Sequence, residues 1–236
     1  MIGASLQVVS PSLRPFGTFS TVLRRELQLA YRRPADLLNP LFFFAVVTSL
    51  FPIAVSPLPD VLALIGPGVI WIAALLAALL PLSTHYAHDY EDGTLEQYLL
   101  SGQSLVAICI AKTVALWLVA GLPLVLASLV VSGSYGLAPS TFAVMSITLA
   151  GGSYALCALG AVAAALTVGV QRASAMIALL VLPLMVPVLI FGTRAISMAA
   201  TNLPAKGPIY LVLAVTLLAA LLSPIATAAA LRISME

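Results

Sequence analysis

The stretch His88-Asp89-Tyr90-Glu91-Asp92-Gly93-Thr94-Leu95-Glu96-Gln97 holds four of the chain's eight acidic residues. Grouped carboxylates can bind a divalent cation, shuttle protons, or present charge to a protein partner. A calcium loop needs acids at 88, 90 and 92, glycine at 93 and glutamate at 99, but His88, Tyr90 and Leu99 occupy three of these places. Calcium is thereby excluded. His85 and His88 could ligate a metal or haem iron from the near surface. Lone surface histidines more commonly do neither, so no metal site is assigned. Met145, Met176 and Met185 lie in apolar runs, where methionine ordinarily packs.

No catalytic residue emerges. The sequence has no Gly-x-x-x-x-Gly-Lys-Ser/Thr, so it does not hydrolyse nucleotide by a P-loop, and it has no His-x-x-x-His and no nucleophile elbow. No Cys-x-x-Cys-His is present for covalent haem attachment, and Cys109 and Cys157 lie inside apolar runs as small hydrophobes. By itself the chain is not an enzyme.

What remains for the acidic stretch is a docking role. Thr94 followed by Gln97 reads as a capping box, which predicts a short helix starting at Thr94 and ending at Ser101-Gly102. Asp92 and Glu96 sit near its positive end. Leu95, Tyr98 and Leu99 share one face. A short helix that is acidic at its start and apolar along one side suits a groove on a soluble partner. A solvated connector is the plain alternative.

The elements that must hold this stretch are membrane spans. Hydrophobic residues make up 62% of the 236 and charged ones 8%, against about 25% charged in soluble domains; mean hydropathy is +1.14. Apolar runs near the ~20 residues needed to cross a bilayer recur throughout. This is an all-α polytopic membrane protein. The net charge of +2 implies no attraction to nucleic acid.

Residues 1–17 read as a loose extension with no apolar h-region, hence not a secretory signal. Residues 18–34 read as an amphipathic interfacial helix. Phe19, Val22, Leu23, Leu27, Ala30 and Tyr31 form its apolar stripe, and Arg24, Arg25, Arg32 and Arg33 lie off it, near lipid phosphates. Pro34 ends it.

Six spans follow, at about 37–56, 67–86, 105–131, 141–169, 174–193 and 209–231, forming one transmembrane domain over 37–231. Gly66-Pro67-Gly68 is expected to separate a surface piece at 61–65 from the second span. Lys112 is expected to snorkel to the near surface. Ala161, Ala165 and Gly169 form a small-residue row for helix packing. Pro183 and Pro187 should bend the fifth span, as a fixed bend or a hinge. Residues 194–208 are expected to form a loop. The segment 88–102 lies between the second and third spans.

With the N-terminus inside, Arg14, Arg24, Arg25, Arg32, Arg33, Lys112, Arg172 and Arg232 fall on the cytoplasmic side, and Arg194 and Lys206 on the other. Both termini and the acidic stretch are therefore expected in the cytoplasm. No acid falls inside an expected span, whereas a proton-coupled carrier ordinarily has an ionisable residue at membrane depth. Energy should come from outside the chain. No internal repeat indicates an inverted-repeat transporter.

Asp89-Tyr90-Glu91-Asp92-Gly93-Thr94-Leu95-Glu96-Gln97 resembles the signature cytoplasmic loop of the CcmB (haem exporter B) family, the membrane permeases of the cytochrome c maturation ABC system. Asn39-Pro40-Leu41-Phe42-Phe43-Phe44, Pro67-Gly68-Val69-Ile70-Trp71, Leu166-Thr167-Val168-Gly169, Val181-Leu182-Pro183-Leu184 and the run 222–234 are similar to segments of that family in the same order. The extension before Phe19 is longer than the family pattern. The resemblance implies an ABC-exporter type permease of the bacterial inner membrane, with six spans, an interfacial helix and a second copy of itself. It implies as partners the ATPase CcmA, which alone binds ATP, and CcmC, CcmD and the haem chaperone CcmE, with haem as cargo. It also implies that Asp89, Glu91, Asp92, Gly93, Thr94, Leu95, Glu96, Gln97 and Tyr98 couple the chain to the ATPase. A scaffold without transport and an ABC permease for another hydrophobic cargo are the alternatives.

Overall fold

In lipid the backbone has no water to bond, so a chain this apolar must satisfy its amides internally. The computed structural model describes residues 15–170 and 173–235, and their regular elements are all helical. Helix α1 (Pro15–Arg32) is strongly amphipathic. Arg33 then leaves the helical region at φ −120°, as the residue before a proline does, and α2 (Pro34–Ala54) follows. Next come α3 (Pro59–Leu79), a 3₁₀ turn (Leu80–Ser83), and the short helices α4 (Ala87–Glu91) and α5 (Thr94–Leu100). Helix α6 (Leu105–Leu116) runs through a π turn (Trp117–Gly121) into α7 (Leu122–Ser134), and α8 (Ser140–Leu166), α9 (Ala173–Ala200) and α10 (Lys206–Ser234) complete the bundle.

Six helical stretches are long and apolar enough to cross a membrane: α2 from Leu37, α3 to α4, α6 to α7, α8, α9 and α10. The six spans read from the sequence are thus present, with shifted bounds. The amphipathic helix starts at Pro15, so 15–17 belong to it rather than to an extension; residues 1–14 lie outside the described residues. Helix α3 passes through Gly66-Pro67-Gly68 unbroken, so no separate piece exists at 61–65. Pro67 is buried there, and tertiary packing outweighs the lost bond. Helix α9 continues to Ala200 and takes in Arg194, which leaves only 201–205 before α10 in place of a loop from 194 to 208.

Helix α8 is the central post, packed against α9 and α10 and touching α3, α6 and α7. Its glycines and alanines permit this. A Cβ on Gly152 would lie 2.2 Å from the Trp71 ring, and one on Gly192 of α9 2.3 Å from it. Trp71 is therefore keyed into a slot between two glycines on neighbouring helices. Gly160 is overlaid by Leu82 in the same way. Ala161 and Ala165 of the small-residue row are fully buried, but Gly169 falls beyond the helix end with φ +75° and supports the Tyr90 ring instead. The large apolar side chains left outside, such as Phe42 (72% exposed) and Ile53 (81%) on α2, suit a lipid surround. The π turn precedes Pro123, whose missing amide disrupts regular bonding, and it carries Trp117 to donate through Nε1 to Ser153 Oγ at 3.0 Å.

Candidate functional site

The short helix expected from Thr94 to Ser101-Gly102 is present as α5, without the capping box, and the helix α4 precedes it across a turn. Gly93 between them adopts φ +73°, and Asp92 Oδ1 accepts from the Thr94 amide at 2.9 Å. Thr94 is inside the helix rather than at its cap, and no side-chain cap forms at Gly93. Asp92 meets this need because a carboxylate one residue before a left-handed glycine reaches the first free amide of α5. The Thr94 hydroxyl and amide hold the Asp92 carboxyl below its ordinary range.

The expected apolar docking face turns inward. Leu95 is 1% exposed, and Tyr98 and Leu99 pack against the core. Glu91, Asp92, Glu96 and Gln97 face outward, joined by Tyr90 (44% exposed) and Leu100 (86%). The outward surface is therefore acidic with two apolar points, and the inward one anchors α5 to its own protein. Asp89 is alone among the expected acids in being buried.

Asp89 is neutralised by two cations from distant parts of the chain. Lys112 of α6 places Nζ 2.6 Å from Asp89 Oδ2 and 3.0 Å from Glu26 Oε1. The Arg25 fork spans Asp89 Oδ1, with both terminal nitrogens at 3.2 Å, and Nη1 also reaches Glu26 at 3.0 Å. Arg25 further donates to Tyr98 Oη at 3.0 Å and to Thr94 Oγ1 at 3.4 Å. Burial opposes its charge, but Asp89, Tyr98 and Glu26 together outweigh this and raise its pKa. Burial pushes the Tyr98 phenol up, which keeps it protonated against Arg25.

One expectation is corrected here. Lys112 does not snorkel; it is 1% exposed because two carboxylates meet it inside. Arg25 turns its guanidinium to Asp89 and Tyr98 with a third of its side chain exposed, whereas Arg24 and Arg32 of α1 and the following Arg33 are exposed. The network links α1, α4, α5 and α6. Glu26, which interrupts the apolar stripe of α1, is its fourth charge. The available signal was that acid on the apolar face of an amphipathic helix, together with a lysine inside a span; each implied a hidden partner.

Chemically this is a clamp of two acids and two bases, holding the acidic segment to the membrane bundle. Among the described residues no three of His, Cys, Asp and Glu are grouped to hold a metal. His88 is half exposed, with Nδ1 3.9 Å from Glu91. Pro183 and Pro187 lie inside α9 with their side chains outward.

Fold and site together define a polytopic membrane protein that offers an anchored acidic helix pair at one end of its bundle. The model of the family described as CcmB protein matches residues 17–234, and the chain belongs to that family. It is similar to heme exporter protein B of Pseudomonas aeruginosa, 46% identical over 92% of this chain and 97% of that protein. Heme exporter protein B of Haemophilus influenzae is 42% identical, and that of Escherichia coli K12 46%, each over 92% of this chain and 99% of the relative.

Proposed function

We propose that the chain is the permease subunit of an ATP-driven complex that exports haem, or releases haem-loaded chaperone, for cytochrome c assembly in the bacterial inner membrane. The names of its relatives support haem as cargo. The lack of a P-loop supports an ATPase on another subunit. In this reading CcmA docks on Glu91, Asp92, Glu96, Gln97 and the exposed Leu100, while Gly93 sets the angle between the two short helices. CcmC, CcmD, CcmE and a second copy of the chain complete the assembly. Both termini face the cytoplasm, in keeping with the eight-to-two bias of Lys and Arg.

The observation that carries this reading is the Asp89–Lys112 pair, whose 2.6 Å contact joins the acidic segment to a spanning helix. A push on α4 and α5 is thereby passed into α6, and through Arg25 into α1. Replacing Glu91, Asp92 and Glu96 together by lysine should abolish co-purification with the ATPase subunit. Intact association and intact ATPase stimulation would sink the docking claim.

Release of chaperone is the alternative to flux of haem through this chain. The space around Trp71, between α3, α8 and α9, is only about 10 Å³. A scaffold role, or chaperone release driven from outside, needs no passage there. Reconstituted vesicles separate the two: ATP-dependent movement of haem across the bilayer supports the permease, and chaperone release without flux supports the scaffold. Normal c-type cytochrome assembly in a deletion strain would point to another hydrophobic cargo.

A further inference from the structure

The clamp ties the acidic segment to α1 and α6, but α4 also meets the other side of the bundle. Asp89 and Tyr90 are successive residues of a helix, so their side chains leave it about 100° apart. Asp89 turns in to Lys112 and Arg25, while Tyr90 reaches the turn that joins α8 to α9. A Cβ on Gly169 of that turn would lie 3.2 Å from Tyr90 Oη, 3.3 Å from Cζ and 3.5 Å from Cε1. Glycine leaves this side of the backbone bare, at a φ of +75° that other residues rarely adopt. The phenol ring thus lies close over the bare backbone of the turn.

Next to this contact α4 and α9 stand apart. A space of about 290 Å³ separates Ser83, Ala87 and Glu91 from Ala164, Val168 and Ala173. The two attachments of α4 therefore differ in kind. Toward α1 and α6 it is held by ion pairs at a buried carboxylate, and toward α8 and α9 by the Tyr90 ring over Gly169, beside open space. Van der Waals contact is weak in attraction and steep in repulsion. Such a contact passes on a push from α4 and leaves α4 free to slide.

We propose that Tyr90 is a positioning residue of the acidic segment. When α4 is driven toward α8 and α9, its ring presses on Gly169 and turns the start of α9, by a route separate from the Lys112 clamp. This rests on the reading that an ATPase subunit acts on α4 and α5. Packed side chains of this sort are what carry coupling between distant parts of a protein.

Hydrogen exchange of the chain with its ATPase subunit in nanodiscs, read by mass spectrometry with and without ATP and vanadate, tests this. In the unaltered complex nucleotide should change exchange in the first turns of α9, residues 173–180, by about fivefold or more. Tyr90→Ala should abolish that change while keeping the response at the start of α6, the ATPase affinity and the thermal midpoint. Tyr90→Phe, which keeps Cζ and Cε1 over the glycine, should retain the change. Should Tyr90→Ala fail to fold, Tyr90→Leu, too short to reach Gly169, carries the same expectation. A response in α9 that survives the folded variant, or one absent from the unaltered complex although the ATPase subunit binds, would overturn the proposal alone. Weakened ATPase binding by the folded variant would make Tyr90 a docking residue and overturn it likewise. Failure of the ATPase subunit to bind the unaltered chain would overturn it together with the docking on which it rests.

Discussion

Lys112 Nζ lies 2.6 Å from Asp89 Oδ2, inside the protein, across a separation of 23 residues. The lysine belongs to a spanning helix and the aspartate to the acidic segment, so one ion pair fastens the soluble end of the molecule to its membrane body. Arg25 and Glu26 fasten α1 to the same point. Three elements that a partner could move separately are thus made to move together.

Because the pair is buried, removing one partner leaves an uncompensated charge, a defect worth about 3–5 kcal/mol. Asp89→Leu and Lys112→Met should each lower the thermal midpoint in detergent. The double variant should cost less than the sum of the singles, since neither charge is then stranded. Strict additivity would show that the pair is not energetically coupled.

The Trp71 slot gives a second test. Gly152→Val or Gly192→Val places methyl groups where the indole lies, at Cβ distances of 2.2 and 2.3 Å, and such overpacking costs about 1–3 kcal/mol. Adding Trp71→Leu should recover much of the lost midpoint. No recovery would mean that the glycines serve something other than room for the indole.

The spans could be read along the chain because each is a local property: about 20 apolar residues cross a bilayer whatever they touch. The clamp could not. Glu26, Asp89 and Lys112 are far apart in sequence, and only tertiary folding shows that they cancel one another. Lys112 near a helix end looks the same whether it snorkels or pairs. The Thr94–Gln97 spacing located the helix but not its cap, since the left-handed Gly93 moves the cap to Asp92. Gly66-Pro67-Gly68 failed because a buried span tolerates breakers that would end a helix in water.

Gly93 at φ +73° has open space where a Cβ would sit, so its requirement is conformational and not steric. Gly93→Ala should strain the turn by about 1–2 kcal/mol, and Gly93→Asn by less. Amide exchange across α5 should rise in that order, with ATPase stimulation falling in parallel. Equal exchange in all three proteins would show that the turn does not control α5.

Asp92 supplies a pH dependence. Its carboxyl lies below its ordinary range, with the Thr94 hydroxyl and then the Thr94 amide as the main causes. A depressed carboxylate contributes stability that is present above the unfolded pKa and lost as pH falls through the folded one. Protection of the Thr94 amide from exchange should therefore persist through neutral and mildly acidic pH and fade only below the ordinary carboxylate range. Asp92→Ala should remove it at every pH, and a midpoint near neutrality would refute the assignment.

Pro183 and Pro187 both point outward from α9, one helical turn apart, and each leaves the carbonyl four residues earlier without its usual donor. Two weakened bonds on one face make this the softest stretch of the span, beside the Trp71 slot at Gly192. If they form a hinge, Pro183→Ala with Pro187→Ala should restore both bonds and raise the thermal midpoint. ATPase docking should be unaffected, while ATP-driven haem movement or chaperone release should fall. A raised midpoint with undiminished export or release would make the prolines a fixed bend, and the motion would then have to pass through α6 and its π turn alone.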